Sequence, residues 1–297
     1  MYKKVKKVKC RRKKLFKFHK VNRSFSGNLV LVLILGTASL FMALPLYYTV
    51  IQSIKPLNEL WIFPPKFYVQ NPTFKNFSEL FTLMGNSRVP FLRYIFNTLF
   101  ITVSGTFFQV ILSSMCAYPL AKHRFPGSRH IFKVIVLSLM FSPAVTGIPN
   151  YLILAKLGWI DTYLAILVPI LGSTLGLYLM KQFMEQIHDS ILESAKIDGA
   201  NEWMIFWRIV MPQVKAAWLT MIVFSVQGLW NIGPTIMIYS EQLKTLPYAL
   251  SQIIAAGISR AGVASAVAVV MITAPLTVFV FTQSKVIETM SSSGIKE

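Results

Sequence analysis

Residues 94–121 read YIFNTLFITVSGTFFQVILSSMCAYPLA, a continuous stretch without one charged side chain. A helix needs about 20 mostly apolar residues to cross a membrane, because about 30 Å of hydrocarbon is covered at about 1.5 Å per residue. This stretch is long enough, and it predicts a membrane-spanning helix.

Similar segments lie on both sides of this stretch. The six predicted spans are Leu29–Ile51, Tyr94–Ala121, Ile131–Leu154, Tyr163–Phe183, Ala217–Tyr239 and Ala261–Phe281, and none contains an Asp or Glu. Isolated carboxylates are avoided where lipid would surround them. With 54% hydrophobic and only 14% charged residues in the chain, the sequence predicts an all-α membrane protein with six transmembrane helices.

The basic residues indicate the orientation of the spans. The formal charge is +19, and twelve of the 30 Lys and Arg residues precede residue 24, directly before the first span. Lys and Arg concentrate on the cytoplasmic side of membrane proteins, and 22 of the 30 fall there if both termini are cytoplasmic. We therefore expect cytoplasmic N- and C-termini, and we expect membrane topology rather than nucleic-acid binding to explain the charge.

These segments also predict the domain organisation. The first apolar run is longer than a signal-peptide core, which favours a retained span. We expect a basic cytoplasmic tail over residues 1–28, a six-span transmembrane domain over 29–283, and a cytoplasmic C-terminal tail over 284–297.

The sequence gives no support for a metal site. Its four histidines all fall outside the predicted spans, and none lies in an HExxH or CxxC pattern. Cys10 and Cys116 are the only cysteines, and one lies in the basic tail while the other lies in a span, so a disulfide framework is not expected.

The loop between the fourth and fifth spans, residues 185–216, reads EQIHDSILESAKIDGANEWMIFWRIVMPQVKA. Apolar residues at helical spacing predict a short amphipathic helix that ends at Gly199. Asn201 is a suitable N-cap for a second helix, and Pro212 is expected to bend that helix before the fifth span. An apolar and acidic helical hairpin suits a groove on another protein. The alternative, a helix lying on lipid, fits less well because such helices usually carry Lys and Arg.

Polar side chains also occur inside the fifth predicted span. Gln227 and Asn231 are four residues apart and therefore share one helical face, which we expect to line a protein interior or a solute pathway. Trp230 lies beside them, and it is suited either to stack on a sugar ring or to pack against a neighbouring helix. These three residues are our candidates for the substrate pathway.

The loop resembles the EAA loop, EAAxxDGAxxxxxFxxIxxP, of binding-protein-dependent ABC transporter permeases. The matching residues are Glu193, Ala195, Asp198, Gly199, Ala200, Phe206, Ile209 and Pro212. Other stretches resemble the carbohydrate branch of this family, whose members are similar to the MalG type: 61–65, 76–81, 97–98, 117–127 and 148–162. Ser194, Ala216 and Pro119 depart from the residues usual in the family.

The resemblance implies a type I ABC importer permease fold in the bacterial cytoplasmic (inner) membrane. It implies that the EAA residues form a coupling helix seated on a cytoplasmic ATP-binding subunit. The implied partners are two such subunits, a second permease, an extracytoplasmic solute-binding protein and a sugar or oligosaccharide. The chain has no GxxxxGK[ST] loop, so we expect ATP and Mg to be bound by the partner ATPase, with no cofactor and no enzymatic activity in this chain.

Three alternatives remain at this level. The chain suits an importer of the same class for a non-sugar solute, because the EAA loop does not distinguish solutes. A secondary transporter driven by an ion gradient is disfavoured because no carboxylate lies in the predicted spans. A membrane enzyme is disfavoured because no acid, base or metal constellation is evident at membrane depth.

Overall fold

The computed structural model describes residues 25–85, 89–233, 235–255, 257 and 260–293. Most of the predicted basic tail, residues 1–24, lies outside the described residues. The described residues form helices joined by turns and loops, without a β-strand. The helices are α1 Phe25–Ile54, α2 Leu57–Leu60, α3 Lys75–Gly85, α4 Phe91–Lys122, α5 Ser128–Ser138, α6 Pro143–Lys156, α7 Tyr163–Leu171, α8 Thr174–Glu185, α9 Asp189–Ile197, α10 Glu202–Ile205, α11 Met211–Gln213, α12 Lys215–Trp230, α13 Leu246–Ile254 and α14 Ala261–Ser293. A π-helical turn, Phe206–Val210, joins α10 to α11, and a 3-10 turn covers Glu241–Leu243.

The chain divides into two compact units between Tyr48 and Thr49. In the first unit α1 presents exposed apolar side chains such as Val32, Phe41 and Met42. The second unit contains the rest of the described chain, with α4 packed against α7, α8 and α12, and α14 packed against α3, α12 and α13.

Among the described residues, four helical segments are long and apolar enough to cross a membrane: Ser26–Ile54, Phe91–Lys122, Tyr163–Glu185 and Ala261–Ser284. A fifth crossing exists if the bent pair Glu202–Gln213 and Lys215–Trp230, which meet at 77°, is one span. The predicted first, second, fourth and sixth spans therefore each correspond to one of these segments.

The third predicted span, Ile131–Leu154, is not one helix. It is divided into α5 and α6, with a break before Pro143. A proline disfavours helical geometry in the residue before it, and Ser142 precedes this one. The break lies near the middle of the predicted span.

The fifth predicted span, Ala217–Tyr239, was placed too far along the chain. Helix α12 ends at Trp230, and Asn231 is its C-terminal cap with φ −93° and ψ 12°. Gly233 and Pro234 follow in the sequence, and neither residue favours helix continuation. The sixth predicted span, by contrast, is shorter than the helix that contains it. Helix α14 continues past Phe281 to Ser293, into the predicted C-terminal tail.

Asn76 in α3 connects the C-terminal end of α1 to α14. Its Nδ2 donates to the carbonyl oxygens of Ser53 and Lys55, both at 2.8 Å. Gly262 of α14 lies so close that a Cβ there would be 2.4 Å from Asn76 Oδ1. Only glycine permits this approach without displacement of the amide.

Asn97 connects α4 to the first residue of α7 and to the segment that precedes α13. It is fully buried, and its Nδ2 donates to Gln242 O at 2.7 Å and to Lys244 O at 2.9 Å. Its Oδ1 accepts from the Tyr163 hydroxyl at 2.7 Å. A buried amide with its hydrogen bonds satisfied specifies one arrangement of these elements.

Candidate functional site

The loop 185–216 folds as the predicted helical hairpin, which we call the docking loop. Its first helix is α9, which we call the docking helix. Gly199 has φ +82°, its N–H donates to Lys196 O, and the N–H of Ala200 donates to Ala195 O, each at 3.0 Å. This is a Schellman C-cap, in which a glycine in left-handed geometry ends the helix.

The second helix begins where the sequence predicts. The side-chain oxygen of Asn201 accepts from the Met204 N–H at 2.8 Å and caps α10. The π-helical turn then follows, and the N–H of Met211 donates to Phe206 O. Pro212 has no N–H to continue the α-helical pattern, and the chain turns through 77° before α12.

The resemblance residues divide into an inward set and an outward set. Ala195 and Phe206 are buried, and Ile209 packs against the same apolar cluster as they do. This cluster includes Met180 and Met184 of α8. The inward set therefore holds the docking loop against its own chain, so Ala195 faces inward and is not available for close approach by a partner.

The outward set comprises Glu193, Asp198, Gly199 and Pro212, all of which are exposed. Ala200 is half-buried and packs, like Ile209, against the apolar cluster of the inward set. Ile197 lies between the two acidic residues in the sequence and is 86% exposed. A Cβ placed on Gly199 would meet no atom of the chain within 4 Å. The face thus presents an apolar side chain flanked by acidic groups to whatever lies outside it.

The five carboxylates of the docking loop differ in their partners. Glu185 pairs with Lys181, Asp189 Oδ1 lies 2.8 Å from Lys122 Nζ, and Glu202 Oε1 lies 2.6 Å from Lys196 Nζ. The hydrogen bond and positive charge of Lys122 lower the pKa of Asp189. Within the described part of the chain, Glu193 and Asp198 make no ion pair. The two carboxylates of the resemblance motif are thus the two that remain available to a partner.

The candidate pathway residues lie at the end of α12. Gln227 and Asn231 are exposed, and Asn231 Nδ2 donates to Gln227 O at 2.7 Å. Trp230 is only 8% exposed, and its Nε1 donates to Met271 O of α14 at 3.0 Å. The structure therefore exposes both side-chain amides, with that of Asn231 bound to the Gln227 main chain. Trp230 packs against α14, as in the second of the two roles predicted for it.

An apolar cavity of about 800 Å³ lies beside Trp230, between α4, α12 and α14. Val103, Val226 and Val278 form part of its wall, together with two further tryptophans, Trp207 and Trp218. Trp230 therefore forms part of the apolar wall of this cavity and is not exposed next to the amides of Gln227 and Asn231.

Sequence reasoning missed the residues that connect the docking loop to α4. The Tyr118 hydroxyl donates to Glu202 Oε2 at 2.8 Å, and His123 Nε2 lies 3.6 Å from the same oxygen. The Tyr118 ring also lies against Phe206, with centroids 5.5 Å apart. No sequence signal joins Tyr118 to Glu202, because 84 positions separate them.

A family model described as "Binding-protein-dependent transport system inner membrane component" matches residues 81–289. Protein LplC of Bacillus subtilis (strain 168) is 34% identical over 205 residues, which are 67% of this chain and 65% of that protein. The arabinooligosaccharides transport system permease protein AraQ of the same organism is 26% identical over 270 residues, covering 90% of this chain and 95% of that one.

Among solved structures, a chain of a bacterial ABC transporter involved in the import of the acidic polysaccharide alginate superimposes with a TM-score of 0.73. The match covers 89% of this chain and 99% of that chain, at 24% identity. At this identity the likeness concerns the fold alone.

Proposed function

The chain belongs to the family of binding-protein-dependent transport system inner membrane components, and from this premise we propose that it is a permease subunit of an ATP-driven importer for a sugar or oligosaccharide. The family description places it in the inner membrane. The proposed complex contains a second permease, two cytoplasmic ATP-binding subunits that bind ATP and Mg, and an extracytoplasmic solute-binding protein.

In the proposed topology the chain crosses the membrane six times with both termini in the cytoplasm. Helices α5 and α6 together form one broken crossing, and α12 forms the crossing that follows the docking loop. The distribution of Lys and Arg supports this orientation. It puts the docking loop in the cytoplasm, the compartment in which ATP is available.

The outward face of the docking helix is the observation that carries the proposal. Glu193 and Asp198 flank the 86% exposed Ile197, and neither carboxylate is paired within the described chain. An exposed apolar side chain beside free charges is suited to a groove with an apolar floor and basic or amide edges. A cleft on an ATP-binding subunit would supply such a groove.

The sugar assignment is supported by relatives. AraQ is named for arabinooligosaccharides and matches over most of both chains, and the superimposed structure belongs to an alginate importer. The exposed amides of Gln227 and Asn231 provide donors and acceptors suited to sugar hydroxyls. We assign these two amides to the solute pathway, with Trp230 in a supporting position behind them.

Co-purification tests the proposal. The chain, extracted in detergent from its host, should recover an ATP-binding subunit and a second permease, both identified by mass spectrometry. The double variant Glu193→Lys, Asp198→Lys should lose the ATP-binding subunit because the reversed charges oppose the basic edges of the cleft.

Glu79→Lys is the matched control, since it reverses an exposed carboxylate on α3, on the opposite side of the membrane in the proposed topology. It should recover the full complex. Transport by the chain alone, without an ATP-binding subunit, would reject the proposal in favour of a secondary transporter.

A further inference from the structure

The last turn of α4 holds the beginning of the docking helix. Lys122 Nζ lies 2.8 Å from Asp189 Oδ1, and the same ammonium donates to the Ile187 carbonyl. The Lys122 side chain is 5% exposed. Burial of an ammonium is costly without such partners, so α4 and the first residues of the docking helix are bound to each other.

The same face of α4 also holds the end of the docking helix. Tyr118 precedes Lys122 by four residues and therefore lies one helical turn before it on that face. Its hydroxyl donates to Glu202 Oε2 at 2.8 Å, and Glu202 Oε1 accepts from Lys196 in the last turn of the docking helix at 2.6 Å. Tyr118 is thereby connected to the far end of the docking helix through the Glu202 carboxylate.

The contacts with α4 do not involve the outward set of the docking loop. Asp189 and Glu202 face α4, whereas Glu193 and Asp198 do not bind any described residue of the chain as an ion pair. Helix α4 in turn packs against α7, α8 and α12. A displacement of the docking helix would therefore be passed to α4 at two points, and from α4 to the helices around it.

We propose that Tyr118 and Lys122 are positioning residues that transmit movement of the docking helix to α4, through Glu202 and Asp189 respectively. The inference rests on the proposed function, since it requires an ATP-binding subunit to move the docking helix. It goes further by separating the residues that bind the subunit from those that convert its movement into opening of the membrane domain.

The test uses the complete complex in proteoliposomes, with Cys10 and Cys116 replaced by serine and Val103→Cys as a reporter. Val103 is on α4, 65% exposed, at the wall of the apolar cavity. The reporter is labelled with a membrane-impermeant maleimide, with and without MgATP plus vanadate. Nucleotide should change the labelling rate when Tyr118 is present.

Tyr118→Phe removes only the hydroxyl and keeps the ring against Phe206, and Glu202→Ala removes the carboxylate that accepts from this hydroxyl. Loss of a hydrogen bond to a charged group weakens a contact by about tenfold or more. The nucleotide-induced change in the labelling rate of the reporter cysteine should therefore fall by about tenfold in each variant. The double variant should be no worse than either single variant, because both remove the same connection. The amount of ATP-binding subunit recovered per chain should not change.

Tyr178→Phe is the control, because the Tyr178 hydroxyl makes no hydrogen bond with the described residues although its ring stacks on Phe132; it should respond like the parent. Unaltered labelling responses in the Tyr118 and Glu202 variants would overturn the proposal. So would a parallel loss of the ATP-binding subunit, which would mean that these residues only shape the docking surface. A parent chain that recovers no ATP-binding subunit would instead reject the proposed function itself.

Discussion

The backbone N–H of Tyr239 donates to Asp161 Oδ1 at 2.9 Å, although the two residues are 78 positions apart. The N–H of Ser240 reaches the same oxygen at 2.8 Å, and the Ser240 hydroxyl donates to Oδ2. In return, the Asp161 N–H donates to Met237 O at 2.9 Å. The hairpin between α6 and α7 is therefore fastened to the segment that follows α12.

Replacement of Asp161 by alanine should destabilise the protein. The variant loses the acceptor for three hydrogen bonds and places alanine at φ +60°, a region that asparagine and aspartate tolerate better. A hydrogen bond to a charged group contributes about 1.5–3 kcal/mol, and about 1 kcal/mol corresponds to about 2–4 °C in a chain of this size. We expect Asp161→Ala to lower the unfolding temperature in detergent by several degrees, measured by intrinsic fluorescence. Asp161→Asn, which keeps an acceptor and the backbone preference, should recover most of the loss.

The Asp161 contribution should also depend on pH. The hydrogen bond from the Ser240 hydroxyl, with those of the two backbone N–H groups, holds the pKa of Asp161 below its ordinary value. A lowered pKa in the folded state means that the stabilisation is complete above the unfolded value of about 3.9 and is lost as the pH falls through the folded value. The difference in unfolding temperature between the protein and Asp161→Ala should thus be constant from about pH 7 to pH 5 and narrow below about pH 4. A difference that narrowed between pH 7 and 5 would contradict this assignment.

Local signals in the sequence predicted the docking loop well. The C-cap at Gly199 and the N-cap at Asn201 depend on residues within a few positions of each other. Hydrophobic periodicity placed Leu192 on the apolar face, where it is buried, but it placed Ile191 there as well, and Ile191 is 40% exposed. The same periodicity does not say which buried side chain faces its own chain and which faces a partner. The family resemblance implied that Ala195 lies at the partner surface, whereas its side chain packs against its own chain.

Contacts between distant segments were not predictable in the same way. Hydropathy extended the fifth span to Tyr239 because Ile232, Ile236 and Ile238 continue the apolar composition, but they lie in an irregular segment, part of which is bound to Asp161. Nothing local to Asp161 identifies its partners. Gly158, which also has a positive φ, indicates a turn close to Asp161. It does not indicate which residues Asp161 binds.

Replacement of Gly199 by valine should uncouple ATP hydrolysis from the permease. The φ of +82° strains any L-residue, while a Cβ there meets no atom of the chain within 4 Å. The larger side chain would therefore project from the outward face at the proposed contact with the ATP-binding subunit. We expect normal membrane insertion, measured by the yield of extracted protein, with loss of transport-coupled ATP hydrolysis.

Gly158→Val provides the matched control for Gly199→Val. Gly158 has φ +69° and equally open space around it, but it lies in the hairpin between α6 and α7. Backbone strain is comparable, so coupled ATP hydrolysis should persist in this variant. Normal coupled hydrolysis in Gly199→Val would refute the assignment of α9 as the coupling helix.

Asn231→Leu and Trp230→Phe should separate solute recognition from packing at the end of α12. Asn231 is exposed, and the hydrogen bond described for its side chain goes to the Gln227 main-chain carbonyl. Leucine at this position should therefore change solute affinity or transport rate. Both the unfolding temperature and the recovery of the ATP-binding subunit should stay unchanged.

Trp230→Phe removes the donor to Met271 O, which costs about 1 kcal/mol. This variant should lower the unfolding temperature, while the order of preference among arabino-oligosaccharides and other test sugars stays the same. If Asn231→Leu leaves that order and the transport rates unaltered, Asn231 does not line the pathway. If Trp230→Phe reorders the sugars, the indole contacts solute, and the packing role assigned to it is wrong.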